Sequence, residues 1–214
     1  MAASRLPAPE RRRQLAEVAI ETFARKGYDP TSMEEIAEAA GVTKPVLYQH
    51  FRSKRALYLE LLDYVGGQLL EAIGSATAAA DSPRRQVEAG FAAYFRFVAE
   101  HPWSFRLLFG SGAQRDPEFD AEVRRVESTI AEAVAAMIEA DIDPAHRRLL
   151  AHAVVGLAEA TSRYWMAERS RAEKSRANGS KAPDPERAFL ADPGHLARRI
   201  ADLAWAGLRA IHRD

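Results

Sequence analysis

An all-α fold follows from three observations on this chain of 214 residues. Apolar residues recur at helical spacing through nearly every segment, and alternating β-branched stretches are absent. The composition is rich in Ala, Leu, Glu and Arg, which are good helix formers. About nine helices are expected by that periodicity. They group into an N-terminal three-helix helix-turn-helix domain over residues 10–62 and a larger helical domain over 63–214, after a flexible tail at 1–9.

The first helix is expected over Glu10–Lys26, with Leu15, Val18, Ala19, Thr22 and Phe23 as its apolar stripe and Gly27 as its stop. The second opens at Ser32, where Glu35 three residues on completes a capping box. Its buried face is Met33, Ile36, Ala37 and Ala40, and Gly41 ends it. Thr43 caps a third helix over Lys44–His50, with Pro45 tolerated in its first turn. Ser53 caps the fourth, whose core side is Leu57, Leu61, Leu62, Val65 and Leu69, with a bend expected at Gly66-Gly67. Further helices are expected over 83–100, 103–109, 117–140, 144–170 and 193–212. Loops are expected at 110–117 and over the charged, Pro- and Gly-broken stretch 171–187.

Composition narrows the function. Lys+Arg and Asp+Glu both number 30, so the net charge is zero. Residues 1–59 nevertheless hold ten basic against seven acidic residues, a local excess that weakly favours nucleic acid. No cysteine is present, which excludes disulfides, zinc–thiolate sites and cysteine nucleophiles. The N-terminus lacks a signal-peptide core, and no run of about 18 apolar residues exists to span a membrane. A cytoplasmic protein without a membrane partner is expected. The six histidines include no i, i+4 pair, and no HExxH, GxSxG or P-loop motif occurs. No enzyme activity, metal or cofactor is implied.

The sharpest feature is SMEEIAEAAGVTKPVLYQHF, residues 32–51. Two short helices flank a Gly-containing turn, the spacing of a helix-turn-helix. Ala37 is small where the helices cross, Val42 fills the space between them, and Leu47 and Phe51 anchor the second helix inward. Thr43, Lys44, Pro45, Val46, Tyr48, Gln49 and His50 are left facing outward. These suit double-stranded DNA. Lys44 can bond a guanine edge or a phosphate, and Gln49 an adenine edge. Pro45 and Val46 can touch thymine methyls, while Thr31, Tyr48, His50 and Lys54 suit phosphates.

The block Thr31–Leu62 and the preceding AIETFARKGYDPTS resemble the DNA-binding region of TetR-family repressors. The resemblance spans about residues 10–62 and rests on several motifs in order at the right spacing. It implies a homodimer with one recognition helix per major groove of a pseudo-palindromic operator. It also implies that Thr43, Lys44, Pro45, Val46, Tyr48, Gln49, His50 and Lys54 contact DNA. Such regulators are usually repressors released by an inducer. A ligand beneath the fourth helix would move it and alter the spacing of the recognition helices, about 34–36 Å for successive grooves. Ligand and DNA would then oppose one another. A regulator that activates, or that needs its ligand as co-repressor, would use the same residues.

The C-terminal region carries no ligand signature. Phe91, Tyr94, Phe95, Val98, Trp103, Phe105, Phe109, Met137, Tyr164 and Trp165 are expected either to line a cavity for an apolar or aromatic effector or simply to form core. His152, Glu159 and Arg163 could orient a polar ligand group. Small residues Ala153, Gly156 and Ala160, then Ala204 and Gly207, mark helices able to approach a partner closely. Leu157, Leu203 and Leu208 are their apolar companions in an expected dimeric four-helix contact.

Overall fold

The computed structural model describes residues 7–110, 116–177 and 192–209. These form nine helices with no strand among the described residues: α1 (Ala8–Lys26), α2 (Met33–Ala39), α3 (Lys44–His50), α4 (Lys54–Ala78), α5 (Pro83–Glu100), α6 (Pro102–Phe109), α7 (Pro117–Met137), α8 (Pro144–Ala177) and α9 (Pro193–Leu208). They fall into two compact units, one within Met1–Gly66 and Trp103–Arg124, the other within Gly67–Pro102 and Arg125–Asp214. Helices α4 and α7 each contribute residues to both.

In the first unit, α1 begins at Ala8, earlier than expected, because Pro at the first helical positions has no amide to lose. Residues 1–6 of the expected tail lie outside the described residues. The buried face of α1 is Leu15, Ala16, Ala19, Ile20 and Phe23; Val18 and Thr22 sit at its edge. Gly27, at φ 89°, ends α1, and its amide donates to Phe23 O at 2.7 Å. The Ser32–Glu35 capping box forms in both directions. Gly41, at φ 64°, turns the chain into α3, and the Val42 amide donates to Ala37 O at 2.9 Å. Ala37, Leu47 and Phe51 are buried as expected, while Val42 is half-buried. Ser53 caps α4 by accepting from the Ala56 amide at 3.1 Å. That helix runs unbroken through Gly66 and Gly67.

This unit also takes in α6 and the start of α7. Phe119 is fully buried among aromatics of the three-helix core, with ring centroids 4.7 Å from Tyr28 and 4.5 Å from Tyr58. Phe23 meets Tyr58 edge-on at 5.0 Å. Burial pushes the Tyr58 hydroxyl up to about 12, so it stays neutral. The expected domain of residues 10–62 is thus built on by a segment from much later in the chain.

In the second unit α9 packs mainly along α5, burying Leu196, Ala197, Ala201 and Ala204. A second cluster joins Ala131, Ala135, Ile138, Ile142 and Ala151, with Leu150, Val155 and Leu208 against it. Helix α7 ends at Met137 rather than 140, where the Ile138 amide turns back to Ala135 O at 3.2 Å. The stretch 171–187, expected as a loop, is helical through Ala177; residues 178–187 lie outside the described residues. So do 111–115 of the expected loop and 210–212 of the expected last helix.

Candidate nucleic-acid interface and effector core

The outward face of α3 is as the sequence predicts. Thr43, Lys44, Pro45, Tyr48 and Gln49 are exposed, Val46 and His50 half-buried, and Leu47 fully buried beneath them. Thr43 caps α3 without using its hydroxyl, which stays available. The carbonyl of His50 accepts from Arg12 Nη1, and the same guanidinium lies 4.5 Å from the Phe51 ring centroid while pairing with Glu60. Arg12 therefore pins the C-terminal end of α3 to α1 and α4. Nothing local to Arg12 announces this, because its partners lie 38 and 48 residues away.

One expected DNA contact faces inward, and a second, the half-buried Lys54, is engaged within the chain. Thr31 is buried, and its hydroxyl donates to Gly27 O at 2.7 Å. It closes the turn after α1 and is corrected to a structural residue. Lys54 Nζ donates to the carbonyls of Tyr28 at 3.0 Å and Asp29 at 3.2 Å, with its ammonium 4.3 Å from the Tyr28 ring centroid. The two carbonyls take two of the three ammonium donors and staple α4 to the α1–α2 turn, leaving one donor for a phosphate. Arg52, in the gap between α3 and α4, is exposed and makes no ion pair among the described residues. Sequence reading passed it over, although a cation next to Phe51 was there to be read.

Lys44 is held as well. Its ammonium donates to the Glu34 carboxylate of α2. The hydrogen bond and charge of Lys44 hold the Glu34 carboxyl below its ordinary range, and Glu34 in turn raises Lys44. Both are ionised at neutral pH.

The expected effector residues divide between the units. Trp103, Phe105 and Phe109 belong to the first, with the Phe105 and Phe109 ring centroids 5.2 Å apart and the rings tilted by 46°. Phe91, Tyr94, Phe95, Val98 and Trp165 are buried in the second. Phe95 meets Trp165 at 6.3 Å and Tyr94 at 5.5 Å, both edge-on. Met137 is half-buried. Glu159 is mostly buried and pairs with Arg163. His152 and Tyr164 are exposed, which corrects their place in an inner lining; an α8 turn points them away from the buried Ala151 and Trp165. The hydroxyls of Tyr94 and Ser162 are buried without a hydrogen bond. Ser162 still lies close enough to lower Tyr94 slightly against the larger upward push of burial. Two surface grooves of about 600 and 570 Å³ open along α5, and neither is lined by the expected effector residues.

The expected partner face is partly borne by the surface. Leu149, Ala153, Gly156, Ala160 and Tyr164 form one exposed row on α8, and Leu203 and Gly207 are exposed on α9. Leu157 and Leu208 are half-buried. Ala204 is corrected: it is buried in its own chain, on the α9 face that packs against α5.

A short helix seated on a buried anchor, with polar side chains and a proline turned outward, defines a helix-turn-helix regulator that binds DNA. Residues 15–61 match the family described as bacterial regulatory proteins, tetR family, and residues 83–206 match the tetracyclin repressor-like C-terminal domain. The chain belongs to the TetR family of transcriptional regulators. It is 36% identical over 165 residues to the HTH-type transcriptional activator FasR of Mycolicibacterium smegmatis, covering 76% of this chain and 75% of that one. A TetR-like transcriptional regulator from Rhodococcus superposes with a TM-score of 0.71 at 26% identity, covering 97% of this chain and all of that one. FadR of Bacillus subtilis, solved in complex with stearoyl-CoA, shares the fold with a TM-score of 0.70 at 17% identity, over 94% of this chain and 99% of that one. Among the described residues no helix is long and apolar enough to cross a membrane, and no group of three or more His, Asp or Glu could hold a metal.

Proposed function

We propose that this protein is a homodimeric, effector-responsive regulator without catalytic activity that acts in the cytoplasm and reads a pseudo-palindromic operator through α3. The carrying observation is the row Thr43, Lys44, Pro45, Val46, Tyr48, Gln49 and His50, turned outward over the buried Leu47. Duplexes enriched by the protein from random-sequence DNA test it. Tyr48→Ala and Lys44→Ala should each weaken binding to the enriched duplex, and Gln49→Ala should relax preference at particular base pairs. Enrichment of no sequence would sink this reading.

The dimer is supported by the exposed α8 row and by Gly156 and Gly207, where an added Cβ would meet nothing within 4 Å. Their small size is not demanded by packing within the chain. The effector is an apolar molecule met by Phe91, Tyr94, Phe95, Val98 and Trp165 in the C-terminal unit. The neighbour solved with stearoyl-CoA makes a long-chain acyl-CoA the first probe. Operator affinity unchanged by any bound probe would remove the effector response. Repression is the expected sign. The likeness to an activator, FasR, favours activation as the second reading, and a reporter in a deletion strain separates the two.

A further inference from the structure

The ion pair between Glu34 and Lys44 lies on the DNA-facing side of the helix-turn-helix, and no packing requirement puts it there. Lys44 is the first residue of α3, and Glu34 is in the first turn of α2. The two helices are locked together by buried Ala37 and Leu47 and by the Val42 to Ala37 hydrogen bond, so the two side chains start from fixed points. Both are about half exposed, at 49% and 57%. A pair this wet contributes little to stability and exchanges readily. Its neighbour Glu35 is spent differently, on the capping box and on Lys26.

We propose that Glu34 determines specificity by holding the Lys44 ammonium, so that this cation joins DNA only where a well-placed acceptor replaces the carboxylate. The inference rests on the reading of α3 as the recognition helix. A paired lysine must leave its carboxylate before it can reach a phosphate and displace a counterion, so contact with arbitrary duplex gains less from it. A guanine edge presents two acceptors in fixed positions and can outbid a mobile, hydrated carboxylate. The Lys44 ammonium also lies 5.8 Å from the Tyr48 ring centroid, so the carboxylate and the ring together confine it to one part of the groove face. The result is a penalty on non-specific binding that the correct operator relieves.

Glu34→Gln tests this on the full-length protein, with an enriched duplex and a scrambled duplex titrated from low to moderate NaCl. The variant should bind scrambled DNA several-fold more tightly. Its salt slope on that DNA should steepen by about one, the contribution of one more phosphate contact. Affinity for the enriched duplex should rise less, so the ratio of the two falls. A purely structural role, as an acid at the start of α2, would change the melting temperature and leave slope and ratio alone. Unchanged slope and ratio overturn the proposal. In a Lys44→Ala background the Glu34→Gln effect should vanish; an effect that persists means direct repulsion of phosphate and overturns it too. If Lys44→Ala by itself leaves DNA binding intact, the role assigned to Lys44 in α3 falls, and this inference with it.

Discussion

Arg55 grips Asp116 through both terminal guanidinium nitrogens, Nη1 at 2.7 Å and Nη2 at 2.9 Å, across 61 residues of chain. Its Nε donates to Glu118 at 2.6 Å, and the guanidinium plane sits 4.9 Å from the Phe119 ring centroid. Asp116 also caps the start of α7, accepting from the amides of Glu118 at 2.9 Å and Phe119 at 3.4 Å. One carboxylate thus caps the start of α7 and ties it to α4 beside the aromatic core of the DNA-reading unit. Bidentate geometry and shared partners set this pair apart from the single exposed ion pairs of the chain.

The pair sets an acid sensitivity. Arg55, followed by the two backbone amides, holds the Asp116 carboxyl below its ordinary value of about 3.9. A depressed carboxyl contributes stability that is fully present above the unfolded value and is lost as pH falls through the lower folded one. Urea unfolding of wild type should therefore weaken on acidification below about pH 4 more steeply than that of Asp116→Asn. Equal slopes would mean that the carboxylate does not stabilise the folded state.

Phe119 supplies the apolar half of the same joint. It is fully buried between Tyr28 and Tyr58, so Phe119→Ala should destabilise by about 3–5 kcal/mol, with Phe119→Leu costing less. Chemical denaturation measures both. A loss under about 1 kcal/mol would mean that the rings of Tyr28 and Tyr58 collapse into the gap or that Phe119 is not packed there.

The unpartnered hydroxyls of the second unit make the opposite prediction. Tyr94→Phe and Ser162→Ala each remove a buried polar group that has no hydrogen bond. Such a deletion is neutral or stabilising, within about 1 kcal/mol, because the desolvation cost disappears with the oxygen. A clear loss of stability in Tyr94→Phe would reveal a partner for that hydroxyl.

Association should depend on residues that the monomer does not need. Gly156→Ala should raise helix stability by about 1 kcal/mol, since the position is open and helical. Gly156→Glu and Leu203→Glu should keep the helical circular dichroism and shift sedimentation from dimer to monomer. Dimers that survive both substitutions would place the interface elsewhere on the chain.

Much of the recognition motif was legible because its determinants are local. The capping box spans Ser32 to Glu35, Gly41 makes its turn by a positive φ, and Leu47 and Phe51 are one helical turn apart. Short-range hydrogen bonds and helical periodicity suffice to place these, and the same reasoning placed the row from Thr43 to His50. Helix boundaries were less legible where charge and loop signals misled. Helix α8 continues past 170 into a stretch whose Arg, Lys and Glu are also good helix formers.

What the sequence determined by itself is the all-α class, the helix-turn-helix and the outward face of α3, since each depends on residues within a turn or two of one another. Tertiary structure alone decided where the long side chains go. Lys54 stapled α4 to the carbonyls of Tyr28 and Asp29, Thr31 went inward to Gly27, and Ala204 faced α5. It also decided that Arg55 finds Asp116 and that Phe119 completes a core begun at Phe23. The physical reason is reach. A lysine or arginine can satisfy its charge anywhere within its length, and only the packed backbone determines which acceptor stands within it.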